Sequence, residues 1–144
     1  SPFESLEAAI AAAQVKGADA GSLADISHLA GIKPRTGERI FTDVGGEGIA
    51  VLCKATGLKR NFLRDLWTAL GRSKGDNDPA FARVSDVYES IAVAKAQTVL
   101  RYWNWSLSAA YSPDAVDDDS HDDLANDFRI VEDVTRARTT SYGR

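Results

Sequence analysis

The side chains of this chain that are best suited to binding chemistry are cationic and lie in its middle third. Between residues 33 and 74, nine Lys or Arg stand against four Asp or Glu, a local surplus of five positive charges. Ammonium and guanidinium groups bind phosphates and carboxylates. The surplus therefore predicts contact with a protein partner or with nucleic acid through Lys33, Arg35, Arg39, Lys59, Arg60 and Arg64.

An acidic run is the best metal candidate in the sequence. Residues 117–123 read DDDSHDD, and carboxylates are the ligands that Ca²⁺ and Mg²⁺ prefer. The run lacks the glycine at the sixth position and the closing glutamate of a calcium-binding EF-hand loop. Weak cation binding by an acidic run is the favoured interpretation, so we predict no specific metal site.

The remaining candidate residues do not match a known catalytic motif. The glycine-rich stretch 45–48 precedes a helix without the Lys-Ser/Thr of a phosphate-binding P-loop, so a turn that needs positive φ is the favoured interpretation. Cys53 lies in an apolar run and is predicted to be a core residue. No serine has the context of a nucleophile elbow. We predict a protein without catalytic activity and without a cofactor.

The elements that position these residues are predicted to be helices. Segments of helical hydrophobic spacing end at glycines, and no segment alternates as a strand would. Helix starts are predicted at Ser1-Pro2, Ser22, Pro34 and Asp78-Pro79. Residues 79–110 form one helix or two, and their length favours two with a break near Ser90.

A repeat of 26 residues relates two parts of the chain. It places Gly31 on Gly57, and each glycine is followed by an aliphatic residue and then a lysine. It also places Phe41 on Trp67. Each copy reads as a helical hairpin, and hairpins must stack to bury their apolar faces. The predicted fold is all-α: two hairpins in tandem plus a long C-terminal helix or helix pair.

The second hairpin also resembles a DNA-binding helix-turn-helix. In residues 54–67 a glycine ends one helix and Leu-Lys-Arg leads into the next, which suits a recognition helix that begins with Lys59 and Arg60. Against DNA stand the net charge of −4 and the narrow polar face of that helix. A hairpin that packs against its neighbours is favoured, and DNA binding is kept as the alternative.

Two tryptophans close together, Trp103 and Trp105, suggest a contact surface. Residues two apart on a helix face different directions, so one is expected in the core and the other at the surface. Trp103 continues an apolar helical face, which makes Trp105 the candidate for partner contact.

The last part of the chain differs in composition. Residues 112–128 contain seven Asp and no Lys or Arg. We predict a helical domain over 1–111 and an acidic, mobile segment and tail over 112–144. Residues 128–134 suit a short amphipathic helix that docks on the domain. The acidic segment either rests against the basic residues or serves solubility.

Two further expectations concern the whole protein. Because the sequence lacks methionine, we expect a piece of a longer chain. The single cysteine, with no signal segment and no apolar run of membrane-spanning length, favours a cytoplasmic protein that does not enter a membrane.

A family resemblance supports the helical prediction. The stretches 45–58 (GGEGIAVLCKATGL), 88–91 (YESI) and 96–103 (AQTVLRYW) resemble the C-terminal part of a bacterial domain-of-unknown-function family, number 2336. The likeness spans roughly residues 3–105 and implies a longer, all-helical protein built from helix pairs. It implies no activity and no catalytic residue. The favoured function is a non-catalytic module for protein–protein binding, with regulatory or scaffolding roles.

Overall fold

A computed structural model describes residues 2–109 of the chain, with side chains through Ser106. This part is entirely helical, with no strand among its residues, which confirms the all-α prediction. The acidic segment and the predicted helix at 128–134 lie outside the described residues. The seven helices are α1 (Leu6–Lys16), α2 (Ala20–Leu29), α3 (Pro34–Thr42), α4 (Glu47–Ala55), α5 (Arg60–Ala69), α6 (Pro79–Ser90) and α7 (Val93–Ala109).

The 26-residue repeat is also a repeat of structure. Helices α2 and α4 end 26 residues apart, and so do the starts of α3 and α5. Gly31 and Gly57 follow the first helix of each hairpin at φ +80° and +79°, a region that side chains with a Cβ rarely adopt. The next residues, Ile32 and Leu58, each donate an N–H back across the helix end at 3.0 Å. The two hairpins are therefore built on the same turn.

Two predicted helix starts were wrong by a few residues. Ser5, and not Ser1, caps α1, because its hydroxyl accepts the Ala8 N–H at 3.1 Å. Asp19, and not Ser22, caps α2, and the two form a reciprocal capping box with both N–H bonds at 2.8 Å. In each case the N-cap is the residue whose side-chain oxygen accepts a hydrogen bond from an N–H of the first turn.

The predicted break in the C-terminal helical region is confirmed. Asp78 caps α6 with its carboxylate, and Pro79 occupies the first turn. Helix α6 ends at Ser90, where Ile91 takes an extended backbone and turns its side chain into the core with 6% exposure. No Gly or Pro explains the break at this point. The burial of the aliphatic Ile91 side chain does explain it.

Helix α4 lies at the centre of the fold and contacts α3, α5, α6 and α7. Its residues 48–53 are all buried, which explains why the stretch reads as a continuous apolar run. Helix α1 packs on α5 and α2, and α7 also reaches α3. The hairpins thus wrap into a compact array instead of extending as a linear solenoid.

Trp67 joins the parts of this array. Its ring is 3% exposed and lies 5.7 Å from the Phe81 ring on α6. The Arg72 guanidinium stacks over it at 5.1 Å and donates to the Phe41 carbonyl at the end of α3. A Cβ on Gly46 would lie 2.6 Å from the Trp67 ring, so the chain before α4 must be glycine there. Leu52, Leu58 and Leu66 of the second hairpin are buried in the same core as Trp67.

Replacement of Trp67 by alanine should lower the free energy of unfolding by about 3–5 kcal/mol, the cost of emptying a buried aromatic site. Urea denaturation followed by circular dichroism measures this change. Trp105→Ala is the matched control, because Trp105 is 68% exposed and its loss should stay within about 0.5 kcal/mol. Equal losses in the two variants would contradict the packing described here.

Candidate interaction surfaces

The predicted contact residues separate into two basic groups and one aromatic face. The α3 basic group is Lys33, Arg35 and Arg39, at the start of α3 and along it. The α5 basic group is Lys59, Arg60 and Arg64, at the start of α5 and along it. Lys33 and Lys59 are the N-cap residues of their helices and lie at equivalent positions of the repeat. The groups thus occupy corresponding positions of the two hairpins.

The α5 basic group is exposed, as a nucleic-acid surface requires. Two of its side chains, Arg60 and Arg64, nevertheless make contacts with α6. The Arg60 guanidinium lies 3.3 Å from the Glu89 carboxylate and reaches Ser85. The Arg64 guanidinium stacks over Phe81 at 4.7 Å. Because the Arg60–Glu89 pair is 68% and 52% exposed, it contributes little to stability. Its effect is to direct the Arg60 charge along the protein surface.

A groove of about 1000 Å³ runs between α5, the loop 72–78 and α6. Arg60 and Arg64 line it together with the aromatic rings of Trp67 and Phe81, while Asp65 adds negative charge. The sequence analysis missed this groove, since it depends on how α6 packs across α5. The 26-residue repeat predicts that α4 and α5 form a hairpin, but it does not predict where the next helix packs.

Asp78, at the base of the groove, connects the start of α6 to the core. Its carboxylate caps α6 and accepts the Trp67 indole N–H at 3.2 Å. Desolvation raises the pKa of this carboxyl, but the hydrogen bonds from Trp67 and from the Phe81 and Ala80 N–H groups outweigh it. The pKa of Asp78 is therefore lower than its ordinary value.

The α3 basic group is held against α7 by an amide that the sequence analysis missed. Asn104 Oδ1 accepts the Lys33 N–H and the Thr36 hydroxyl, both at 3.0 Å. Helix α3 has no side-chain cap from its own N-cap residue, so Asn104 supplies the acceptor from another helix. Arg35 and Arg39 are one turn apart on the side of α3 next to Thr36. The sequence holds no local signal for this cap, because its partners are about 70 residues apart.

The turn of the second hairpin is covered in a similar way. Tyr88 on α6 donates its hydroxyl to the Leu58 carbonyl at 2.8 Å. Lys54 donates to the Tyr88 carbonyl at 2.7 Å and lies over the same ring. Gln97 on α7 donates to the Ala55 carbonyl. Helices α6 and α7 thus fix both hairpin turns, the regions that would approach DNA in a helix-turn-helix.

The outward face of α7 exposes aromatic rings. Trp103 is fully buried and Trp105 is 68% exposed, which confirms that the two tryptophans face different environments. Tyr102 is also exposed and lies one turn from Trp105. Arg101 and Thr98 are exposed on the same side of the helix. These four residues, Thr98, Arg101, Tyr102 and Trp105, form the α7 outer face.

The other candidates for chemistry have structural roles. Cys53 is buried, and desolvation raises the pKa of its thiol to about 12, which leaves it protonated at neutral pH. Gly46, at φ +79°, makes the turn predicted for the glycine-rich stretch. Within residues 2–109, no group of three or more His, Cys, Asp or Glu is arranged to hold a metal. The acidic run 117–123 lies outside that range. No helix in the described region is long and apolar enough to cross a membrane.

Replacement of Asn104 by alanine should cost about 1 kcal/mol of unfolding free energy, because the start of α3 loses its acceptor. Denaturant titration compares it with Asn61→Ala, the same chemical change at an exposed site on α5. The control should change stability by less than about 0.5 kcal/mol. If both variants lose the same stability, the cap contributes nothing.

Replacement of Asp78 by asparagine should make the free energy of unfolding depend less steeply on pH in the acid range. Because the folded-state pKa is lowered, the ionised carboxylate stabilises the fold above its ordinary value of 3.8. This stabilisation is lost as the pH falls through the folded-state pKa. Denaturant titrations between about pH 5 and pH 2 should therefore show a steeper loss for the unmodified protein than for the variant. If the two proteins lost unfolding free energy in parallel, the hydrogen bond from Trp67 would not stabilise the ionised Asp78 carboxylate.

Comparison with known proteins adds a family to this geometry. Neither the curated proteins nor the solved structures contain a significant match to the chain. The sequence model of a family described as uncharacterised and conserved in bacteria matches residues 5–101. This match covers α1 to α6 and half of α7, including both hairpins, and it confirms the resemblance identified from the sequence. The chain belongs to the bacterial domain-of-unknown-function family 2336.

Proposed function

We propose that this domain is a non-catalytic module that binds another protein through the α7 outer face. The observation that carries the proposal is the 68% exposure of Trp105 beside exposed Tyr102 and Arg101. Trp, Tyr and Arg are the residue types most enriched at the energetic centres of protein interfaces. Three of them on one helical face are a contact surface of the kind that such interfaces use.

The charge of α7 indicates the chemistry of the partner. The helix contains Lys95 and Arg101 and no Asp or Glu. A surface that complements it offers an apolar pocket for the Trp105 ring, bordered by carboxylates that pair with Arg101. The partner we propose is therefore a protein with an acidic rim around an apolar site.

The inner side of α7 supports this role by keeping the outer face in one orientation. Ala96, Val99 and Trp103 are fully buried, and Asn104 ties the helix to the start of α3. A side chain presented on an already ordered helix loses less conformational entropy when it binds. The same argument favours a scaffolding or regulatory role, since the surface needs no reacting group.

The proposal is tested by affinity purification with the full chain carrying Tyr102→Ala and Trp105→Ala. A partner retained by the unmodified protein should lose at least ~2 kcal/mol of binding free energy, or roughly 30-fold in Kd. Val15→Ala is the matched control, because Val15 is 86% exposed on α1 and outside this face. Equal retention by the double variant and the control would overturn the proposal.

DNA binding is the alternative, and the exposure of Lys59, Arg60 and Arg64 at the start of α5 favours it. Against it are the turn of Arg60 and Arg64 toward α6 and the net charge of −4. Titration of duplex DNA separates the two functions. DNA contact requires binding at low salt that weakens steeply as salt rises and drops in Arg60→Gln/Arg64→Gln. Absence of binding at low salt would remove this alternative.

The cytoplasm is the location we propose for this activity. The free, buried Cys53 is compatible with a reducing compartment, where isolated thiols stay unpaired. Fractionation of cells that produce the full protein, followed by immunodetection, tests this location.

A further inference from the structure

We propose that the groove between α5, the loop 72–78 and α6 binds a small phosphate monoester that carries hydroxyl groups. Sugar phosphates and nucleoside monophosphates share this chemistry. Arg60 and Arg64 bind the phosphate, and the hydroxyl groups donate to the carboxylate of Asp76; all three residues line the groove. Its volume of about 1000 Å³ is at the upper end of the range for small-molecule sites. The site is separate from the α7 outer face and independent of the function proposed above.

Contacts with α6 hold two guanidinium groups at one end of the groove. Arg60 and Arg64 are one turn apart on α5, so their side chains extend from the same side of the helix. The Arg60 guanidinium lies 3.3 Å from the Glu89 carboxylate, and the Arg64 Cζ lies 4.7 Å from the centre of the Phe81 ring. Side chains that are already held in place lose less conformational entropy when a ligand binds. This end of the groove therefore presents two ordered, neighbouring positive charges.

The existing contacts of these guanidinium groups favour an anion with more than one negative charge. A stack uses the flat face of the Arg64 guanidinium, so the N–H groups on its edge can still donate to a ligand. Arg60 shares its charge with Glu89, and a second carboxylate would gain little by competing there. A phosphate monoester carries a charge of about −1.5 to −2 at pH 7 and three acceptor oxygens, which suit two guanidinium groups. Because the Arg60–Glu89 pair is 68% and 52% exposed, its rearrangement costs little.

The other end of the groove offers hydrogen-bond acceptors. Asp76 and Asn77 line it from the loop. The Asp78 carboxylate holds this loop, because it accepts the Trp67 indole N–H at 3.2 Å and also the backbone N–H of Lys74. Carboxylate and amide oxygens accept hydrogen bonds from hydroxyl groups, and a carboxylate repels a second phosphate. This end therefore suits the neutral, hydroxyl-bearing part of the ligand.

The cationic and acidic ends are separated along the groove. Arg60, in the first turn of α5, pairs with Glu89 near the end of α6. Trp67, near the end of α5, bonds to Asp78, the N-cap of α6. The two helices thus run in opposite directions, and Arg60 and Trp67 are about 10 Å apart along α5 at the helical rise of 1.5 Å per residue. A ligand with one anionic end and a neutral body of hydroxyl groups matches this separation, and a polyanion does not.

Proton–nitrogen correlation spectra of the full chain, recorded during titration with ribose 5-phosphate, test the site. Trp67 lines the groove and its indole N–H bonds to Asp78, whereas Trp105 lies on the exposed face of α7. The indole signal of Trp67 should shift until it saturates, and that of Trp105 should not move. Single Trp→Phe variants assign the two signals. A shift of the Trp105 signal without one at Trp67 would overturn the proposal.

Three control probes separate a built site from adsorption of an anion. Ethyl phosphate has the charged group without hydroxyl groups, ribose has hydroxyl groups without phosphate, and inorganic phosphate is the free anion. Each should bind at least about tenfold more weakly than ribose 5-phosphate, because each lacks one set of contacts. Adenosine monophosphate is the second test ligand: tighter binding than ribose 5-phosphate identifies a nucleotide as the ligand, and equal or weaker binding identifies a sugar phosphate. Equal binding of ethyl phosphate, or no saturable shift with either test ligand up to about 10 mM, would overturn the proposal.

Paired variants identify the residues that bind the phosphate. Arg60→Gln/Arg64→Gln should weaken the binding of ribose 5-phosphate at least about tenfold. The control, Lys16→Gln/Arg83→Gln, removes the same charge at two exposed positions that do not line the groove and should leave the affinity unchanged. Equal affinities in the two paired variants would overturn the proposal.

Replacement of Asp76 by alanine is the sharpest variant, because two explanations predict opposite signs. If the groove only attracted anions, removal of this negative charge would tighten the binding of both ribose 5-phosphate and ethyl phosphate. In the site proposed here, loss of the acceptor weakens ribose 5-phosphate several-fold and does not weaken ethyl phosphate. Tighter binding of both ligands would overturn the proposal. None of these measurements involves a protein partner or α7, so this site and the proposed function fail or succeed separately.

Discussion

The burial of Trp67 is the contact on which the rest of this fold depends. Its ring lies between Gly46, Arg72 and Phe81, and its indole N–H is satisfied by Asp78. These neighbours belong to the chain before α4, the chain after α5, α6, and the cap of α6. Because a buried indole N–H without a partner costs free energy, the hydrogen bond to the Asp78 carboxylate stabilises this packing. One side chain therefore sets the positions of both hairpins relative to α6.

Helices α6 and α7 turn two similar hairpins into an asymmetric surface. Tyr88 and Gln97 cover the turn of the second hairpin, and Asn104 covers the turn of the first. The same packing leaves the α7 outer face exposed and leaves a groove open between α5 and α6. The exposed aromatic and cationic side chains of the α7 outer face are the feature on which the proposed binding role rests.

The sequence predicted best what local backbone chemistry decides. The turns at Gly31 and Gly57 and the Asp78-Pro79 helix start depend on neighbours within a helical turn, and each is confirmed, as is the 26-residue spacing between the two turns. The caps at Ser5 and Asp19 were misplaced because several oxygen-bearing residues compete near a helix start, and only geometry selects one. Asn104 and the groove were missed because their partners are distant in sequence. Trp103 and Trp105 were separated correctly, since helical periodicity alone fixes their opposite environments.

The three tryptophans differ in environment, and hydroxyl-radical footprinting of the full chain tests that difference most directly. Trp67 and Trp103 are 3% and 0% exposed, while Trp105 is 68% exposed. Mass spectrometry after brief oxidation should therefore find the label on Trp105, with Trp67 and Trp103 protected until the protein is unfolded. Oxidation of Trp67 as fast as Trp105 would contradict the packing of the hairpins against α6. Protection of Trp105 in the isolated chain would contradict its role as an available binding surface.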